Sequence, residues 1–126
     1  MEFLHPPGWP RPKGYSNGVA AEGRLVFVGG LVGWDEREEF PSDCLAEQTR
    51  QTLLNVVAVL GEAGAKPEHV VRMTWYITDK LEYRAKLRDI GAAYRETAMA
   101  MVQVAALMED RAKVEIEATA VIPEGE

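Results

Sequence analysis

Residues 96–107, ETAMAMVQVAAL, decide how the second half of the chain folds. The segment follows a helical pattern without an intervening turn residue, and its alternating small and large side chains suit either a helix or a strand. If it continued the helix, the apolar strand predicted at residues 113–122 would lack its natural neighbour in a sheet. We therefore predict a strand at residues 99–107, which pairs with residues 113–122 through the connection MEDRA at 108–112.

The junction before this strand is short. A helix that runs to Glu96 cannot enter a sheet at Ala98 without a few residues of loop. Either the helix ends earlier than its pattern indicates, or a few residues are missing from the sequence between Glu96 and Met99. The spacing favours the second explanation.

Two amphipathic helices are predicted upstream. Asp43 is the expected N-cap of the first helix, and Gly64 is the residue that ends it. Asp79, followed three residues later by Glu82, resembles a capping box for the second. The predicted buried positions recur at helical spacing and are Leu45, Thr49, Leu53, Val56, Val57 and Leu60 in the first helix, and Leu81, Leu87 and Ile90, flanked by Tyr83 and Tyr94, in the second.

The remaining segments predict strands. Residues 16–20 and 24–31 read as a hairpin with its turn at Glu22-Gly23, and Gly29-Gly30 ends the second strand at a bulge or a close backbone approach. HVVRMTWYIT at 69–78 and KVEIEATAVI at 113–122 both alternate as half-buried strands do. The order β-β-α-β-α-β-β predicts an α+β fold in which two helices cover one face of a mixed sheet.

The length and composition are those of one globular domain. The chain has 126 residues, of which 47% are hydrophobic and 27% charged, so a single domain with one core is predicted over residues 1–126. Residues 5–14, HPPGWPRPKG, are too rich in proline and glycine for a regular element. Residues 1–14 are therefore predicted to form an extended arm over the surface.

Charge, cysteine content and hydropathy argue against several function classes. The net charge is −6 and the basic residues are scattered among carboxylates, which makes a nucleic-acid partner unfavourable. No segment approaches the ~20 apolar residues that cross a bilayer, and the N-terminus lacks the pattern of a secretory signal. A lone cysteine, Cys44, fits a reducing compartment. We expect a cytoplasmic protein with no membrane partner.

The sequence contains no cofactor or metal motif. His5 and His69 are isolated from each other and from any carboxylate or cysteine spacing that suggests a metal site, and both are predicted at the surface. Cys44 has no partner histidine and is expected to be inert. The glycines of AEGR at 21–24 and GGLVG at 29–33 lack the spacing of a nucleotide-binding loop. We therefore predict no cofactor and no metal.

Four segments together resemble the Rid (YjgF/UK114) family of reactive-intermediate deaminases. They are GYSNGVAAEGRLVFVGG at 14–30, AEQTRQTLLNVVAVLGEAGA at 46–65, VVRMTWYITD at 70–79 and KVEIEATAVI at 113–122. The resemblance implies a chorismate-mutase-like fold and a homotrimer with a central β-barrel, whose small-molecule ligands bind in clefts between subunits. It also implies an activity, because members of the family hydrolyse enamines and imines such as 2-iminoacids to ketones and ammonia.

The resemblance also assigns site residues. The family's glutamate that holds the attacking water falls on Glu115, and the tyrosine of its PYS motif falls on Tyr15. Gly30 matches a family glycine, but the glutamine that usually follows it is Leu31 here. The arginine that anchors the substrate carboxylate is replaced by Met99, which has no charge and no hydrogen-bond donor.

Two functions are compatible with these residues. The first is hydrolytic deamination of a small enamine or imine, with Glu115 as the base. Leu31, Met99 and Met101 would then line an apolar cleft that binds simple 2-iminoacids poorly and suits a bulkier or less anionic substrate. The second is a non-catalytic trimeric protein that binds a small metabolite or acts through protein contacts. The enzyme is the favoured hypothesis.

Overall fold

The computed structural model describes residues 1–87 and 97–125. A 3₁₀ turn, Pro67–His69, precedes the fourth strand. The helices and strands follow one another as β1 (Glu2–Leu4), β2 (Gly18–Ala20), β3 (Arg24–Val32), α1 (Leu45–Glu62), β4 (Val70–Ile77), α2 (Lys80–Ala85), β5 (Ala98–Gln103) and β6 (Val114–Ile122).

The main sheet has the strand order β3-β6-β4-β5. β6 pairs antiparallel with both β3 and β4, whereas β5 pairs in parallel with β4. The predicted strand is found, but it spans residues 98–103 and does not extend to residue 107. The predicted pairing of this segment with residues 113–122 is wrong. A parallel pair needs a crossover connection, which the chain between β4 and β5 provides with α2. β6 lies between β3 and β4, so both of its edges are paired.

β2 does not form the predicted hairpin with β3. It pairs antiparallel with β1 in a separate two-stranded sheet, with Glu2 opposite Ala20. Gly23 lies directly before β3, with a φ of +147°, and a Cβ there would overlap the carbonyl of Ile122. The bare backbone of Gly23 lets β3 start directly beside the end of β6. Residues 5–14 contain no helix or strand, as predicted, and β1 lies at the start of the predicted arm.

α1 covers one face of the main sheet. Its buried side chains recur at three- and four-residue spacing and are Leu45, Gln48, Thr49, Thr52, Val56 and Leu60. The core also contains alternate residues of β4 and β6, namely Met73, Trp75, Ile77, Val114, Ile116, Ala118, Ala120 and Ile122. The alternation predicted for these two strands is confirmed. We call the opposite side of the main sheet the open face.

The first helix begins differently from the prediction. Its N-cap is Cys44, whose N–H donates to Ser42 Oγ at 2.9 Å. Asp43 does not cap the helix because its carboxylate accepts from the Arg111 guanidinium, at 2.9 Å. The end of the helix is confirmed, since Gly64 has a φ of +75° directly after the helix.

The second helix has the predicted N-cap. The Asp79 carboxylate accepts from the N–H groups of Leu81 at 2.9 Å and Glu82 at 3.1 Å. Glu82 does not complete a capping box, because its carboxylate instead accepts from Lys113 Nζ at 3.0 Å. This ion pair joins the first turn of α2 to the residue before β6.

The apolar stripes are only partly buried. Tyr83 is the side chain of α2 that packs against the core, so Leu81 and Leu87 are exposed, contrary to the prediction. Val57 of α1 is exposed as well. Ile90, Tyr94 and the junction at Glu96 lie outside the described residues.

Candidate functional site

The open face carries a band of polar side chains on its two middle strands. Directly paired residues in a sheet project to the same face. The register places Tyr76 opposite Glu115, Thr74 opposite Glu117, and Arg72 opposite Thr119. The band therefore has two carboxylates towards one end and a guanidinium at the other.

The backbone of Gly30, which has no side chain, lies against the Glu115 side chain. β3 has a bulge at Gly29 and Gly30, where its register against β6 shifts. A Cβ on Gly30 would overlap the Oε2 atom of Glu115, whereas a Cβ on Gly29 would meet no atom within 4 Å. The predicted bulge and close approach are confirmed, although β3 continues beyond these glycines to Val32. Gly30 and Glu115 therefore lie together, as the resemblance requires of two residues of one site.

Tyr76 and Glu117 are hydrogen-bonded to each other within the band. The Tyr76 hydroxyl donates to Glu117 Oε1 at 3.0 Å. This bond raises the pKa of Tyr76 above its ordinary value of 10.0, and desolvation and the nearby charges of Glu117 and Glu115 raise it further, while Arg72 lowers it. At neutral pH Tyr76 is therefore a neutral donor that holds the Glu117 carboxylate in place.

A cavity of about 350 Å³ opens on the same face. Its polar wall is formed by Arg72, Thr74, Glu117 and Thr119, and its apolar wall includes Phe27 of β3. Glu117 of this cavity lies one side-chain step after Glu115 along the open face of β6, so the cavity is next to Glu115. The arrangement can bind a small polar molecule and present it to a carboxylate.

The other predicted site residues lie elsewhere in the chain. Leu31, Met99 and Met101 pack against the core on the α1 side of the sheet, opposite Ile116, Met73 and Trp75 respectively. Tyr15 is exposed at the β5 edge, where the next residue, Ser16, bridges to Ala98. A single chain thus forms one group from Gly30 and Glu115, and a second group at β5 from Tyr15, Met99 and Met101. It does not bring the two groups together.

Tyr76 and Glu117 were not singled out from the sequence as site residues. The alternation of β4 and β6 places each residue on the same face as Glu115, which is a usable signal. The hydrogen bond between them depends on the register of the two strands, and that register is a long-range property of the fold.

Neither histidine supports a metal site. His69 is buried, contrary to the prediction that it lies at the surface, and its Nδ1 accepts from the Lys66 N–H at 2.9 Å. His5 Nε2 donates to the Trp9 carbonyl at 2.9 Å. Across residues 1–87 and 97–125, no three His, Cys, Asp or Glu side chains gather in a way that could hold a metal ion.

Among residues 1–87 and 97–125, no helix is both long enough and apolar enough to cross a bilayer.

The chain matches known proteins along almost its whole length. The family model described as Endoribonuclease L-PSP matches residues 10–122. A RutC family protein of Pyrococcus horikoshii is 34% identical over 116 residues, which cover 88% of this chain and 90% of the relative. The 2-iminobutanoate/2-iminopropanoate deaminase of Salmonella typhimurium is 31% identical over 104 residues, or 79% of this chain and 80% of the relative.

A solved structure shares the fold. The crystal structure of the Rid family protein YyfB from Yersinia pestis superposes with a TM-score of 0.83 at 31% identity, covering 96% of this chain and 98% of YyfB. The sequence matches and the shared fold both agree with the family resemblance of the four segments described above. The chain belongs to the Rid (YjgF/UK114) family.

Proposed function

We propose that this protein hydrolyses a small enamine or imine to a carbonyl compound and ammonia, with Glu115 as the general base. The observation that carries the proposal is the contact between Glu115 and Gly30, where any side chain at position 30 would overlap the carboxylate. The absence of a side chain lets the Glu115 carboxylate lie directly against the Gly30 backbone, on the face of the sheet that also carries the cavity. The relative from Salmonella typhimurium, named as an iminoacid deaminase, supports the same reaction class.

The reaction needs only a base and correct orientation, because an iminium carbon is already electrophilic. The Glu115 carboxylate takes a proton from water as the water oxygen bonds to the iminium carbon, which gives a neutral carbinolamine. Glu115 then returns this proton to the nitrogen, the C–N bond breaks, and its electron pair leaves with ammonia. The hydroxyl proton passes to ammonia, so iminium and water yield a ketone and ammonium. No cofactor and no metal is proposed.

We also propose that the protein is a homotrimer and that the ligand cleft lies between subunits. Apolar side chains flank the polar band on the open face, with Leu25, Phe27 and Val102 exposed by 58%, 72% and 43%. Burying them against another copy is favourable. A neighbouring copy could also bring its Tyr15 and Met99 group to the Gly30 and Glu115 group, which one chain keeps apart.

The substrate is proposed to differ from simple 2-iminoacids. Met99 stands where the family carries its anchoring arginine, and it packs against the apolar core. Without the charge-assisted contact, a carboxylate next to the reacting carbon is held weakly at this position. RNA is not proposed as the partner, because a net charge of −6 opposes binding to a phosphate backbone.

The test is an imine hydrolysis assay in which amino-acid oxidases generate a panel of imines and ammonia release is followed. We expect the wild-type protein to accelerate hydrolysis of bulkier imines more than that of the imines from alanine or leucine. Glu115→Gln is expected to slow the reaction roughly 10²- to 10⁴-fold, the usual contribution of a general base. Glu124→Gln, at an exposed carboxylate after β6, is the control and should retain the wild-type rate.

A non-catalytic protein that binds a small metabolite is the second candidate function. The replacement of the family arginine by Met99 favours it, because it removes one part of the family's substrate-binding machinery. The same assay distinguishes the two functions. Binding of a carbonyl product without acceleration of any imine in the panel would contradict the enzyme and support the second candidate.

A further inference from the structure

The four described strands of the main sheet present one basic side chain to the open face. Arg72 projects to this face from β4, opposite Thr119. Arg24 of β3 lies near the sheet's end, where its guanidinium donates to the Ala63 carbonyl at 3.5 Å. Arg72 forms no salt bridge or hydrogen bond with the described residues, and Glu117, the acidic residue in the same cavity, is bonded to Tyr76. The guanidinium is therefore available to a ligand.

Two hydroxyl groups accompany this cation in the cavity. Thr74 is only 7% exposed, and its side chain lines the cavity without a hydrogen bond to any described residue. Thr119 lines the cavity directly across from Arg72. A guanidinium with two neighbouring hydroxyl donors matches a carboxylate, whose two oxygens accept several hydrogen bonds.

We propose that Arg72, Thr74 and Thr119 form a subsite for a substrate carboxylate that is several bonds away from the carbon attacked at Glu115. This inference rests on the proposed function and names its substrate class, which is an enamine or imine with a remote carboxylate. The subsite replaces the charge that Met99 lacks, but at a different distance from the reacting carbon.

The distance follows from the register. Arg72 lies four residues along β4 from Tyr76, which is opposite Glu115, or about 13 Å at the rise of a β-strand. A carboxylate bonded directly to the reacting carbon fits this separation poorly, whereas one at the far end of a short carbon chain fits it well. Glu117 lies between Glu115 and Arg72 on the open face. Its carboxylate favours a ligand with an N–H group at this position, as an enamine or iminium has.

The test compares two carbonyl products of equal chain length that differ only at the far end. The probes are 2-oxoadipate, which has a remote carboxylate, and 2-oxohexanoate, which has a methyl group instead. By calorimetry we expect the wild-type protein to bind 2-oxoadipate roughly 10- to 100-fold more tightly, the value of one charge-assisted contact. Arg72→Gln should abolish this preference, Arg72→Lys should retain part of it, and Arg24→Gln should leave it unchanged.

The outcomes separate this inference from the proposed function. Equal affinity of the wild-type protein for the two probes would overturn the subsite, even if imines are hydrolysed. A preference that depends on Arg72, without any imine hydrolysis, would support the subsite and contradict the enzyme. A change in the mass of the assembly on Arg72→Gln, by light scattering, would also overturn the subsite, because it would mean that Arg72 pairs with another copy of the chain.

Discussion

Replacing Gly30 with alanine is expected to slow imine hydrolysis roughly 100-fold while the protein stays folded. The added Cβ would overlap Oε2 of Glu115, and the nearest atoms all belong to that one flexible side chain. The carboxylate can move away by rotating, so the free energy of unfolding should change little. The base, however, is then displaced from the water it activates, and a displacement of about 1 Å can cost roughly 10²-fold in rate.

The neighbouring glycine is the matched control for this change. A Cβ on Gly29 meets no atom within 4 Å, although Gly29 lies in the same bulge of β3. Gly29→Ala adds a methyl group to the wall of the cavity but leaves Glu115 in place, so it should retain most of the hydrolysis. Both variants should show wild-type circular dichroism and similar unfolding midpoints. If Gly30→Ala hydrolyses imines at the wild-type rate, Glu115 is not the base.

Replacing Gln48 with methionine is expected to lower the free energy of unfolding by about 2–5 kcal/mol, since each buried polar group left unpaired costs about 1–3 kcal/mol. Gln48 is fully buried, and its amide joins three backbone groups. Its Nε2 donates to the carbonyls of Ser42 at 3.0 Å and Arg111 at 2.9 Å, and its Oε1 accepts from the Lys113 N–H at 2.9 Å. Methionine fills a similar volume but satisfies none of them.

Chemical denaturation at one protein concentration measures this difference. Gln103→Met is the control, because the Gln103 side chain is exposed and accepts one bond, from the Lys80 N–H at 2.8 Å. The control should lose less than about 1 kcal/mol, the typical net value of one hydrogen bond. Equal losses in the two variants would show that the Gln48 network does not hold the start of α1 to the loop before β6.

Local features of the fold could be predicted from the sequence. The alternation in β4 and β6 and the Asp79 cap depend on residues close together in the chain, and both are found. Asp43 was predicted to cap α1 by the same reasoning, but Arg111 binds its carboxylate from 68 positions away. A local pattern cannot indicate such a competing partner.

Strand pairing could not be predicted for the same reason. β5 and β6 are close in sequence, which favours a hairpin, yet β5 pairs with β4 and β6 lies between β4 and β3. The pairing of β5 with β4 places Met99 opposite Met73 of the core. It therefore decides on which face of the sheet the Met99 side chain lies. A shift of one residue in register would move the side chain to the other face.

The candidate site was predictable only in part. The resemblance assigned Glu115 and Gly30, and the structure brings these two residues into contact. It did not assign Arg72, Tyr76 or Glu117, which join Glu115 on the open face through the register of β4 against β6. Charge and alternation alone do not indicate which of many exposed polar residues share a cavity.

A crystal structure of the Glu115→Gln variant with bound 2-oxoadipate tests the proposed site most directly. We expect the carbonyl carbon to lie beside residue 115 and the Gly30 backbone, with the remote carboxylate bonded to the Arg72 guanidinium. Electron density for the ligand at another surface, such as the cavity lined by Phe3, Leu4 and Tyr15, with the open face unoccupied, would contradict this placement.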